Sequence, residues 1–223
     1  MSNGYIVFMP DIHFTIGSPG QSTYDAVVSG VDWLVGQGIA HKGKIGLQGH
    51  SWSGYQTTYL VTKTDIFDCA QIGAPITDMV TGYLGIRNGS GLPRYFMYED
   101  TQSRMGATLW NAKEQYRAMS PIINADKIHT PLLIFHNDND EAVAYEQGRA
   151  LYLAMRRLQR PAWMVNYKGE GHFVMKPAAQ KDWTIRMMQF FDYYLKGTKE
   201  PRWMKEGIHL RDRGYDQKYD LVK

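Results

Sequence analysis

The chain has 223 residues, 43% of them hydrophobic and 21% charged, and a net charge of +3. This is globular composition rather than disorder, and one α/β domain of this length is ordinary. No basic stripe marks a nucleic-acid partner, no apolar run reaches membrane-spanning length, and Met1-Ser2-Asn3-Gly4-Tyr5 lacks the build of a signal peptide.

Tyr5–Asp11 (YIVFMPD) is a short apolar run closed by Pro-Asp and predicts a buried strand. Ser22 or Thr23 can cap a helix whose apolar positions are Val27, Val31, Leu34 and Val35, with Gly36 and Gly38 ending it. Lys44–Gln48 (KIGLQ) is the next strand, followed at once by Gly49-His50-Ser51-Trp52-Ser53-Gly54 and a helix over Tyr55–Thr62. Cys69–Ile76 reads as a further strand. The sole cysteine, Cys69, rules out an internal disulfide and leaves the compartment undetermined. From Thr77 to about Pro121 the pattern is an irregular, glycine-rich excursion with a helical stretch near Trp110–Met119. Strands at Pro131–Phe135 and Ala162–Tyr167 then alternate with helices at Tyr145–Leu158 and Ala178–Leu195. The aromatic side of the last helix (Trp183, Phe190, Phe191, Tyr194) reads as core. Such alternation predicts one α/β domain over residues 1–200, a mostly parallel sheet with helices on both faces. Residues 201–223 form a polar tail that Pro201 and Trp203 can pin down.

Three polar groups each follow a strand. Ser51 stands between a strand and a helix, the setting of a nucleophile elbow, although Ser53 occupies the last glycine position of Gly-x-Ser-x-Gly. Glycine is favoured there because strand and helix approach closely. Ser53 itself is excluded as nucleophile because the bulky Tyr55 lies two residues after it. After Pro131–Phe135 come the carboxylates Asp138, Asp140 and Glu141, and beyond Ala162–Tyr167 the glycine-flanked His172. The order Ser, Asp, His is the one an α/β-hydrolase requires. A serine hydroxyl needs a base and a group to orient that base, so the three together predict acyl transfer. His50 reads as structural, and His13, His41, His129, His136 and His209 show no metal-ligand spacing. Neither a metal nor a cofactor is expected.

Gly49-His50-Ser51-Trp52, Gly54-Tyr55-Gln56, the Pro131-Leu132-Leu133-Ile134 strand and Gly169-Glu170-Gly171-His172 resemble the catalytic domain of prolyl oligopeptidase family serine peptidases, nearest the dipeptidyl-peptidase-like and acylaminoacyl-peptidase-like branches. The resemblance runs from Tyr5 to about Trp203. It implies an α/β-hydrolase fold that cleaves short peptides through an acyl-enzyme. Ser51 is the nucleophile, His172 the general base and acid, and Asp140, three before Val143, the orienting acid. By the same matching Trp52 lends its N–H to an oxyanion hole, and Ile76, Met79 and Val143 line an apolar substrate pocket. Ala142 stands where dipeptidyl peptidases often carry Asn, which weakens that narrower assignment.

Family members also begin this domain with strands upstream of Tyr5. One of these lies between the Tyr5 and Lys44 strands and supplies a second, tyrosine oxyanion donor. The resemblance thus implies a carboxyl-terminal part of a longer peptidase, with a β-propeller upstream that gates access. An open sheet edge in such a part invites self-association. Two other readings stay open on sequence alone: a carboxylesterase or other acyl hydrolase using the same triad, and an impaired hydrolase fold kept for binding.

Overall fold

The computed structural model describes residues 3–222. Helix α1 (Pro19–Gly36) is followed by β1 (Gly46–His50), α2 (Trp52–Val61) and β2 (Cys69–Gly73). The excursion contains α3 (Met79–Tyr83), a two-residue hairpin of β3 (Ile86–Arg87) and β4 (Leu92–Pro93), α4 (Tyr95–Glu99), α5 (Lys113–Ala118) and a 3₁₀ segment at Pro121–Lys127. The core fold resumes with β5 (Leu132–Phe135), α6 (Tyr145–Arg157), β6 (Ala162–Val165), α7 (Pro177–Lys196) and α8 (Arg202–Glu206).

The four longer strands form one parallel sheet in the order β1-β2-β5-β6. Period-two alternation sorts their side chains onto two faces. Ala70, Ile72, Leu132 and Ile134 pack with Leu151 and Met155 of α6, while Cys69 and Leu133 pack with Phe190 and Leu195 of α7. Both faces are covered there, so β5 (LLIF) is a continuous apolar run and lacks a polar alternation. Leu132, Leu133 and Ile134 are fully buried, each contributing about 1.5–3 kcal/mol. Trp203 is buried in the same cluster as Phe190, its indole N–H donated to Gln189, and Pro201 bridges to Leu221.

Two local expectations are corrected. The Tyr5–Asp11 run is not a strand: it pairs with nothing in the sheet, and Ile6, Val7 and Met9 are 66%, 65% and 86% exposed. A strand needs a neighbour for its backbone groups, and β1, the edge of the sheet on that side, pairs only with β2. The run is anchored by the Tyr5 hydroxyl on Asp192 (2.6 Å) and by Phe8 seated over Gly30. Helix α1 begins earlier than the Ser22/Thr23 cap, at Pro19, whose fixed φ suits a first helical turn. Ser22 and Thr23 lie inside the helix, their hydroxyls donating to the Ser18 and Pro19 carbonyls.

All four sheet strands run the same way, so the segments after β1, β2, β5 and β6 emerge at one edge. Those segments carry Ser51, Ile76, Asp140 and His172 respectively.

Candidate active site

Ser51 sits between β1 and α2 with φ 60° and ψ −116°, a conformation that L-residues rarely adopt. The strain is held from both sides. The Ser51 N–H donates to the Gly73 carbonyl at 2.8 Å, and the Ser51 carbonyl accepts from Tyr55 N–H. A Cβ on Gly49 would overlap the Ser53 carbonyl, and one on Gly54 would stand 2.5 Å from the Gly73 carbonyl. The close approach predicted for this turn is therefore real, but it involves the backbone of Ser53. The Ser53 side chain is exposed, so serine fits where glycine was expected. The glycines the turn requires are Gly49 and Gly54.

The structure joins Asp140 and His172 directly, with His172 Nδ1 2.8 Å from Asp140 Oδ2. Asp140 Oδ1 accepts the Ala142 and Val143 N–H groups, each at 2.8 Å. Burial would raise this carboxyl. The hydrogen bonds from His136, His172 and the Val143 N–H outweigh it and hold Asp140 well below the usual carboxylate range. Among the described residues the Ser51 hydroxyl makes no hydrogen bond to His172. Nucleophile–base contacts are often loose in free enzymes and close only on substrate binding. Ser51 is tied to the pair through its neighbour, since the His50 ring centroid lies 4.7 Å from that of His172.

His50, which reads as structural from sequence, lies directly against His172. Its ring packs between Phe135 and Phe173 and against His172. Burial, then the neighbouring His172, lowers its pKa to about 4, so it is neutral at physiological pH.

Four further residues build the site in roles that the sequence did not assign to them. His136 is fully buried, with Nε2 3.1 Å from the Val143 carbonyl and 3.3 Å from Asp140 Oδ2. The Asn137 amide spans the acid and histidine loops: it donates to the Gly171 carbonyl at 2.8 Å and accepts Tyr167 N–H at 3.0 Å. Asp138 accepts Gly169 N–H, and Glu141 accepts the His172 N–H itself. The two carboxylates out of register with Val143 thus grip the backbone that carries His172. These contacts join segments about thirty residues apart in sequence, so spacing gave no sign of them. The only local clue was His136, four residues before Asp140.

Trp52 is the first residue of α2, so its N–H has no intrahelical partner and stands beside Ser51. Ile76, Met79 and Val143 come together in one buried cluster with Tyr55 and Tyr98, and Trp52 packs against it. They are 2%, 0% and 3% exposed, in a cluster that Trp52, the neighbour of Ser51, packs against. Among the described residues no group of three or more His, Cys, Asp or Glu side chains could hold a metal.

Comparison with known proteins finds relatives over most of the chain. The chain is 29% identical over 182 residues to dipeptidyl aminopeptidase BIII of Pseudoxanthomonas mexicana, covering 80% of this chain and 26% of that protein. It is 27% identical over 213 residues to dipeptidyl-peptidase 5 of Porphyromonas endodontalis, covering 87% and 29%. Among solved structures, the Pyrococcus horikoshii acylaminoacyl peptidase superposes with a TM-score of 0.72 at 21% identity, over 87% of this chain and 31% of that one. At that identity the likeness is one of fold, that of α/β-hydrolase peptidases. The chain spans between a quarter and a third of the length of these relatives. The model of the prolyl oligopeptidase family matches residues 1–198, and the chain belongs to that family.

Proposed function

We propose that this chain is a serine peptidase domain that hydrolyses short peptides through an acyl-enzyme on Ser51. The observation that carries the reading is the 2.8 Å His172–Asp140 pair, on the same sheet edge as a serine held in a strained strand-to-helix turn. In the proposed sequence, Ser51 Oγ attacks the scissile carbonyl and His172 Nε2 takes its proton. Asp140 keeps Nδ1 protonated and steadies the imidazolium that forms. The carbonyl oxygen gains negative charge beside the Trp52 N–H, a fixed donor at a helix start. His172 returns the proton to the leaving amine, which departs. Water then repeats the steps on the acyl-enzyme, with His172 again as base. Ile76, Met79 and Val143 take the side chain that precedes the scissile bond.

Peptide amides compared with simple esters of the same acyl group test this reading. Amide turnover that falls with Ser51→Ala supports the peptidase. Turnover of esters alone would make the chain an acyl hydrolase of another kind.

A further inference from the structure

Seven buried side-chain polar atoms among the described residues lack a hydrogen-bond partner. Four of them, Trp52 Nε1, Tyr55 Oη, Arg94 Nε and Tyr98 Oη, fall in one region beside Ser51. Trp52 and Tyr55 stack with ring centroids 4.5 Å apart. Tyr55 and Tyr98 share the closed cluster with Ile76, Met79 and Val143. A Cβ on Gly82 would overlap the Tyr98 hydroxyl and come within 3.5 Å of an Ile76 methyl, so that hydroxyl lies next to Ile76 in space left by a missing side chain.

Arg94 is the anomaly of this group. It is 6% exposed, with its guanidinium 5.9 Å from the centre of the Tyr98 ring. No ion pair among the described residues includes it. The carboxylate whose field reaches Tyr98, that of Asp78, is committed elsewhere: to the Val80 N–H and to the Thr81 and Ser120 hydroxyls. Burial pushes the Tyr98 hydroxyl up to about 12, with the Arg94 charge opposing the rise, so it remains a donor at neutral pH. A largely buried guanidinium without an anion is unfavourable. Three neutral donors and one cation are thus collected in one region, and the partner Arg94 has there, the Tyr98 hydroxyl, is neutral.

We propose that this cluster is the floor of the pocket for the residue preceding the scissile bond, and that Arg94, with the Tyr55 and Tyr98 hydroxyls, recognises a carboxylate there. The substrates are peptides cleaved after an acidic residue. The proposal rests on the peptidase reading above. Ile76, Met79 and Val143 contact the methylenes, while the planar guanidinium accommodates a carboxylate with paired N–H groups. A neutral side chain leaves the cation unpaired, and a lysine side chain is repelled by it.

The test is kcat/KM on the native protein with fluorogenic peptides that differ only at that position, carrying Glu, Gln, Leu or Lys. The expected result is Glu over its isostere Gln by about tenfold to a hundredfold, the scale of one charge-assisted hydrogen bond in a desolvated pocket, with Lys the poorest. In Arg94→Met the Glu-to-Leu ratio should collapse to near one, and in Arg94→Lys it should survive in part. Should Arg94→Met fail to fold, the Glu-to-Gln ratio of the unaltered protein decides alone. A ratio near one, with Ser51 still labelled by a fluorophosphonate, overturns the acidic pocket and leaves the peptidase reading standing. Absence of both labelling and turnover overturns the two together.

Discussion

His136 Nε2 stands 3.3 Å from the Asp140 carboxylate and 3.1 Å from the Val143 carbonyl, so one buried imidazole N–H is shared between the candidate acid and the loop behind it. The same Asp140 oxygen receives His172 Nδ1. His136 therefore acts as a positioning residue. His136→Leu removes a donor from Asp140 and leaves the Val143 carbonyl buried and unpaired, which costs about 1–3 kcal/mol. His136→Gln, which keeps a donor, should recover part of both stability and kcat. Denaturant unfolding and steady-state kinetics on the two variants check this.

Asp140, Asp138 and Glu141 lie within four residues, yet they should respond differently to amide substitution. Asp140→Asn forces the wrong His172 tautomer and is expected to lower kcat by about 10⁴-fold. Asp138→Asn and Glu141→Gln keep an oxygen that can accept the Gly169 and His172 N–H groups, so their effect should stay within about tenfold. Kinetics of the three variants side by side measure the difference.

Restoring the glycine pattern of the elbow should achieve nothing. The Ser53 side chain is exposed within α2, so Ser53→Gly is expected to cost about 0.5–1 kcal/mol through helix entropy without raising activity. Gly54→Ala has the opposite profile. Its Cβ would meet the Gly73 carbonyl at 2.5 Å and Pro75 Cα at 3.2 Å, both backbone atoms, at a cost of about 1–3 kcal/mol or more. Thermal unfolding of the pair distinguishes them.

His50 supplies a pH signature. Its folded-state pKa is lowered from 6.5 to about 4, so between those values the unfolded chain binds a proton that the fold refuses. Its contribution is fully present above pH 6.5 and is lost as pH falls toward 4. Asp140, depressed by its hydrogen bonds, contributes stability present above the usual carboxylate range and lost only below it. Denaturant unfolding across pH 4–6.5 should show a slope that drops by about one proton in His50→Gln.

The motifs at strand ends were legible because chemistry at the carboxyl edge of a parallel sheet leaves fixed signs. A serine between a strand and a helix, a carboxylate after β5 and a histidine after β6 each follow an apolar run. What sequence could not give was the wiring between loops. Asn137 reaching Gly171, or Glu141 reaching the His172 N–H, depends on how β5 and β6 pair, and no local pattern encodes that distance. The Tyr5 run shows the reverse failure. Its composition is that of a buried strand, but strand formation needs a neighbour, and the run pairs with none in the sheet. The fit of Ser53 in the elbow was not legible for a related reason, since a side-chain pattern cannot say that the tight contact falls on the Ser53 carbonyl.

The central claim is that Ser51 is a nucleophile activated by His172 and Asp140. Fluorophosphonate labelling of the native protein, read by mass spectrometry of the modified peptide, tests it most directly. The adduct should sit on Ser51, vanish in Ser51→Ala and form far more slowly in His172→Ala and Asp140→Asn, while Ser53→Ala labels normally. An adduct on another residue, or labelling of Ser51 indifferent to His172 and Asp140, would contradict the account.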